Sequence, residues 1–214
     1  ELRLPDGNQS RGGRHSGCAG CSGEFITKHA NLKLTGDPMA TLKVPVSASD
    51  HRQGSAHAKV TLVEFGDYQC PYCGEAYWMV KNLQQHFRDD LLFVFRNFPL
   101  TTAHPHAMAA AVTAEFAGSR GFFWEAHDEL YENQDRLGLP LFRAIALKHG
   151  LSDEELYLAM QDGTYVSKIK SDFNGGVRSG VNGTPAFYID GLRYDGVPEF
   201  TEMSQMIELS LMRG

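Results

Sequence analysis

The chain of 214 residues holds four cysteines, and they come as two pairs of identical spacing, Cys18-Ala19-Gly20-Cys21 and Cys70-Pro71-Tyr72-Cys73. Two thiols separated by two residues can close a disulfide, exchange it with another molecule, or supply half of a tetrahedral metal site. The pairs stand further apart than the roughly 15–20 residues of a compact zinc ribbon, although His15 would add a ligand near Cys18. Four clustered cysteines are too few to staple a chain of this size. Other side chains with chemical potential are Glu64, lodged in an otherwise apolar run just before Cys70, the neighbours His104 and His106, and His127.

The setting of a thiol pair decides whether it can work. Lys59 to Gly66 (KVTLVEFG) is β-branched, mostly apolar and closed by glycine, which predicts a strand buried on both faces. Ala76, Met79, Val80, Leu83 and Phe87 recur at steps of three and four and predict an amphipathic helix that begins beside Cys70. Cys70 then lies at a helix N-terminus, where unpaired N–H groups and the helix dipole favour thiolate, and Cys73 lies one turn inside, placed to resolve a mixed disulfide. Pro71 falls where a missing N–H costs little. No strand or helix is predicted to present Cys18 and Cys21, so that pair reads as incidental, with a second redox pair or a metal half-site as alternatives.

Glu64 shares a face with Val60 and Leu62 by period-two alternation. Its carboxyl is expected to be at least partly buried and to pass a proton to or from Cys73; the competing reading is a carboxylate that reaches solvent at the sheet edge. His104 and His106 read as a solvated loop, and His127, on an apolar helix face, as a satisfied core histidine. Trp78, Trp124, Phe122 and Phe123 read as packing groups.

Further elements complete the frame. Leu91 to Phe98 (LLFVFRNF) predicts a second buried strand, so strand, helix and strand form a parallel βαβ unit and the fold class is α/β. About five helices follow, one opened by a capping box at Ser152 to Glu155 and the last carrying Val166, Ile169, Phe173 and Val177 before the breakers Gly175, Gly176 and Gly180. A crossover needs only about a dozen residues, so residues 101–180 read as an inserted helical lobe. Ala186 to Asp190, the turn residue Gly191 and Leu192 to Gly196 predict an antiparallel pair, and a final helix after Pro198 carries Phe200, Met203, Ile207 and Leu211. Residues 1–43 show no periodicity and are expected to be a flexible extension ahead of a domain over residues 44–214.

Composition narrows the partners. Lys plus Arg number 20 against 26 Asp plus Glu, a net charge of −6, which leaves no basic excess for a nucleic-acid backbone or an anionic leaflet. A 42% hydrophobic and 11% aromatic content excludes wholesale disorder. The longest apolar stretch, Ala107 to Ala117, is broken by Thr113 and Glu115, so no membrane span is expected. The first thirty residues lack the apolar centre of a secretory signal, which points to the cytoplasm.

The segments VEFGDYQCPYCG (Val63–Gly74) and GVNGTPAFYIDG (Gly180–Gly191) together resemble the DsbA-like branch of the thioredoxin superfamily, over roughly Val44 to Gly214. The resemblance implies a thioredoxin-like fold interrupted by a helical lobe, and a thiol-disulfide oxidoreductase acting on protein or peptide thiols and disulfides with no cofactor beyond its own thiols. It also implies Cys70 as nucleophile, Cys73 as resolving thiol, Glu64 as the buried acid and Pro185 as a cis-proline, the one linkage for which cis is cheap. Thr184 would present its backbone to an extended substrate, with Pro71 and Tyr72 beside it. Strongly oxidising members carry histidine where this chain has Tyr72, and the Pro-Tyr dipeptide is similar to that of glutaredoxins. The direction of electron flow therefore stays open, with a glutathione-coupled reductase or a non-catalytic sensor or zinc module on the same fold as alternatives. The resemblance adds a bacterial envelope location, had a signal been removed.

Overall fold

The computed structural model describes residues 40–213. The expected extension over residues 1–43, with Cys18, Cys21 and His15, therefore lies outside the described residues except for its last four positions. Those four are tied down: Ala40 accepts from Arg193 N–H (2.9 Å), Thr41 bridges Leu192, Leu42 N–H donates to the Gly191 carbonyl (2.9 Å) and Lys43 N–H to Ser179 Oγ (3.0 Å).

Five strands form one mixed sheet: β1 (His51–Gln53), β2 (Val60–Gly66), β3 (Leu91–Asn97), β4 (Ala186–Ile189) and β5 (Leu192–Tyr194), in the order β1-β3-β2-β4-β5. β2 and β3 run parallel, as the helix α1 (Pro71–Phe87) between them requires, and every other pairing is antiparallel. β2 is the central strand, which is why its run is apolar on both faces. Leu62 packs with Phe93, Leu83 and Ile207 on one side of the sheet, while Val63 and Phe65 pack with Val94, Phe98 and Tyr188 on the other. β1 escapes sequence reading because its three residues, His51, Arg52 and Gln53, carry no apolar alternation; register with Phe93–Phe95 defines it.

The expected helical lobe is five helices: α2 (Ala107–Gly118), α3 (Phe123–Glu132), α4 (Leu139–Lys148), α5 (Asp153–Asp162) and α6 (Val166–Ser179). Ser152 caps α5 by accepting from Glu155 N–H (3.1 Å). Gly175 and Gly176 do not break α6 as expected but lie within it. A Cβ on Gly176 would stand 2.8 Å from the Phe98 ring and 3.0 Å from Phe65, so the glycine lets the helix lie directly on the sheet. Gly180, at φ 92°, ends the helix, and Val177 points outward instead of joining the buried face. The last helix is α7 (Phe200–Leu211). Among the described residues, no helix is long and apolar enough to cross a membrane.

Candidate active site

β2 ends at Gly66, and the chain turns through Asp67, Tyr68 and Gln69 into α1. Asp67 organises the turn. Its backbone carbonyl accepts from Cys70 N–H (3.1 Å), and its buried carboxylate accepts from Gln69 N–H (2.8 Å), Leu100 N–H (2.7 Å) and His104 Nδ1 (2.8 Å). His104 is thus a partner of the thiol loop and not the solvated residue expected, because the turn after β3 folds back over Asp67; His106 is exposed. From the lobe, the Gln134 side-chain amide donates to the carbonyls of Tyr68 (2.9 Å) and Cys70 (2.8 Å). No sequence motif marks Gln134; a short 3-10 turn after α3 delivers it.

Cys70 is the N-cap of α1 and Pro71 its first residue, as the spacing predicts. The Cys70 thiol donates to the Thr184 carbonyl at 3.3 Å, across from the cis Thr184–Pro185 linkage that leads into β4. Its pKa is drawn down to about 5, chiefly by the hydrogen bond from Cys73, with Thr184 and the amides of Cys73 and Tyr72 outweighing the cost of burial. Cys73 behaves in the opposite way. It is fully buried, and burial, its hydrogen bond to Cys70 and the charge of Glu64 push its thiol well above the ordinary range. Its sulfur accepts from Asp67 N–H at 3.5 Å. Both cysteines are free thiols, so one helix terminus presents an acidic thiol in front of a reluctant one.

Glu64 lies beneath this pair on the central strand, between Phe95 of β3 and Phe187 of β4, and is 2% exposed. The alternative of a carboxylate at the sheet edge fails, since β2 has neighbours on both sides. Burial, then the charge of Cys70, raises its pKa to about 8, and Oε1 has no hydrogen-bond partner. The structure therefore gathers Glu64, Cys70, Cys73, Thr184 and Pro185 in one place. Pro71 and Tyr72 stand at its rim, with Tyr72 68% exposed.

The aromatic residues divide. His127 is buried and hydrogen-bonded through Nδ1 to the Tyr68 hydroxyl (3.1 Å), the satisfied core histidine expected. Trp124 is half-buried and donates to the Arg52 carbonyl (3.1 Å), and Phe123 is buried. Trp78 departs from the packing expectation: it is exposed, because its step on α1 faces away from the stripe that Ala76, Met79, Val80 and Leu83 bury. Among the described residues, no group of three or more His, Cys, Asp or Glu is placed to hold a metal ion.

The fold recurs among known proteins. A family model described as Thioredoxin matches residues 47–209. The structure resembles BdbD from Bacillus subtilis in its oxidised form (TM-score 0.74, 24% identity, 82% of this chain and 100% of that one). It also resembles a thioredoxin-like oxidoreductase from Silicibacter pomeroyi (TM-score 0.69, 25% identity, 78% of this chain and 94% of that one). A curated relative named Na(+)/H(+) antiporter NhaA 1, from Salinispora arenicola, is 39% identical over 156 residues, which is 72% of this chain and 24% of the relative. The chain thus spans about a quarter of the length of the curated relatives it matches. The fold is that of DsbA-like thiol-disulfide oxidoreductases, with its two free cysteines adjacent at the head of α1. From the central βαβ unit to the cis-proline strand, the chain belongs to the thioredoxin family.

Proposed function

We propose that this chain exchanges disulfides with protein or peptide substrates through Cys70 and Cys73. The observation that carries the reading is the asymmetry of the pair: Cys70 is drawn down to about 5 and Cys73 is pushed up, within one turn of one helix. A thiol poised in this way is ionised at neutral pH while its partner holds its proton until needed.

In the reducing direction, the Cys70 thiolate attacks one sulfur of the substrate disulfide, and the other sulfur leaves as a thiolate. Cys73 then gives up its proton and attacks Cys70 Sγ; the Cys70–Cys73 bond forms and the second substrate sulfur departs with its electron pair. The oxidising direction is the same path reversed. Glu64 is the proton carrier: its carboxylate takes the Cys73 proton during resolution, and its carboxylic acid returns it when Cys73 leaves as thiolate. A pKa of about 8 keeps both forms accessible near neutrality. Pro71, Tyr72, Thr184 and Pro185 surround Cys70 and form the surface against which an extended substrate segment lies.

The test is exchange with a disulfide-bonded model peptide. Cys70→Ser should abolish it, and Cys73→Ser should accumulate a mixed disulfide on Cys70. Exchange that survives Cys70→Ser, or that is lost on Cys18→Ser and Cys21→Ser alone, would refute the proposal. A reduction potential of about −120 mV would make the chain a disulfide donor for an oxidising compartment, and one of about −270 mV a reductase suited to the cytoplasm. A preference for glutathione over peptide would favour the glutathione-coupled alternative.

A further inference from the structure

Two of the buried oxygens that lack a hydrogen-bond partner in the described structure lie beside the same residue, Gly66. Glu64 Oε1 and Tyr131 Oη lie 3.0 and 2.9 Å from the point a Cβ on Gly66 would occupy, a point pressed against the Phe95 ring, so the two oxygens are no more than about 6 Å apart. Tyr131 comes from α3 in the helical lobe, and its ring is fixed by aromatic neighbours: Tyr68 at 4.9 Å, His127 at 5.0 Å and Tyr77, nearly parallel, at 5.3 Å between ring centroids. An unsatisfied buried hydroxyl is costly, and it is unusual to find one beside an unsatisfied buried carboxyl.

The other titratable groups around Glu64 are committed elsewhere. Tyr68 is bonded to His127, and burial keeps His127 uncharged by holding its pKa well below the usual value. Asp67 is occupied by His104 and two backbone amides. Tyr77 donates to Glu132 (3.0 Å). Cys70 and Cys73 are the reacting pair, and β3 and β4 face Glu64 with Phe95 and Phe187. From the lobe, Tyr131 offers a free O–H, and burial keeps that hydroxyl protonated far above neutral pH.

Resting on the reading of Glu64 as proton carrier, we propose that Tyr131 is a positioning residue of the exchange reaction, its hydroxyl donating to the Glu64 carboxylate whenever that group is ionised. Tyr131 loses no proton. When Cys73 leaves as thiolate, the proton passes from the Glu64 acid to the Cys73 sulfur, and the Tyr131 hydrogen bond receives the charge left on the carboxylate. During resolution the sequence reverses: the Cys73 proton moves to Glu64 as the Cys70–Cys73 bond forms. The lobe thereby takes part in the chemistry through α3.

The experiment compares wild type, Tyr131→Phe, Glu64→Gln and the double variant by the pH profile of exchange with a disulfide-bonded peptide. Phenylalanine keeps the ring packing, and near-ultraviolet circular dichroism confirms it. A hydrogen bond to a charged group corresponds to about one to two pH units, so the limb that Glu64→Gln removes should move up by that amount in Tyr131→Phe. In the Glu64→Gln background the same change should leave the profile unmoved. A Tyr131→Phe profile superimposable on wild type overturns the proposal while leaving Glu64 in its role. A Tyr131→Phe shift that persists in the Glu64→Gln background also overturns it, since the hydroxyl then acts on another group. Should Glu64→Gln itself match wild type, the proton-carrier reading fails and the proposal with it.

Discussion

Replacing Cys73 with alanine removes the group that does most to hold the Cys70 thiolate, and leaves the amides at positions 72 and 73 and Thr184 in place. Wild type sets the baseline. At pH 6 a thiol with a pKa of about 5 is about 90% ionised, against about 0.3% for an ordinary cysteine at about 8.5, roughly a 300-fold gain in thiolate. Lower basicity takes back roughly 40-fold, from a Brønsted slope of about 0.45 over about 3.5 units. Cys70 should therefore alkylate about eight times faster than a free cysteine at pH 6 and about ten times slower at pH 8, with the crossing at about pH 7. Burial lowers the absolute rates without changing the slope, so the slope is the diagnostic. In Cys73→Ala the lost hydrogen bond to a charged sulfur, about 1.5–3 kcal/mol, raises the midpoint by about one to two units, to about 6–7. The assay is iodoacetamide labelling of reduced protein carrying Cys18→Ser and Cys21→Ser, read by mass across pH 4 to 9. A wild-type rate that climbs tenfold per pH unit between 6 and 8, or a midpoint unmoved in Cys73→Ala, would refute the reasoning.

Other perturbations act on the surroundings of the thiols. Glu64 has a folded pKa of about 8 against an ordinary 4.5, so the stability tied to its neutral form is complete below pH 4.5 and is lost as pH rises to about 8. Glu64→Gln should accordingly gain on reduced wild type progressively across that window and level off above it, in urea midpoints taken at each pH; an offset independent of pH would contradict this. Gly66→Ala would drive a methyl into the Phe95 ring and against the Tyr131 and Glu64 oxygens, costing about 1–3 kcal/mol by overpacking, which a fall in denaturant midpoint at constant m-value would show. Gln134→Leu leaves the Tyr68 carbonyl without its donor and frees the thiol loop from the lobe; about 1–2 kcal/mol should be lost, with faster hydrogen exchange at the amides of residues 67–73.

Much of this arrangement was legible in the sequence, because the signals were local. KVTLVEFG and LLFVFRNF announce buried parallel strands, the steps from Ala76 to Phe87 announce the helix between them, and together they place Cys70 at its N-cap. Glu64 was visible as a lone charge in an apolar run. Gly175 and Gly176 misled because a glycine pair reads as a helix breaker in isolation; only the close approach of α6 to Phe65 and Phe98 reveals why small residues are needed there. Gln134, Tyr131 and the His104–Asp67 pair were invisible for a different reason. Each acts across a long sequence separation, 64 residues from Gln134 to Cys70 and 37 from His104 to Asp67, and pattern reading carries no information on such contacts.

Cys70 and Cys73 should form one reversible disulfide, and equilibration of the Cys18→Ser, Cys21→Ser protein in a graded series of glutathione redox buffers tests that most directly. Alkylation and mass should show a single two-electron transition from two free thiols to an internal Cys70–Cys73 disulfide, with no more than traces of glutathione adduct. Two alkylatable thiols at every buffer ratio, or a stable adduct on Cys70 with Cys73 still free, would contradict it.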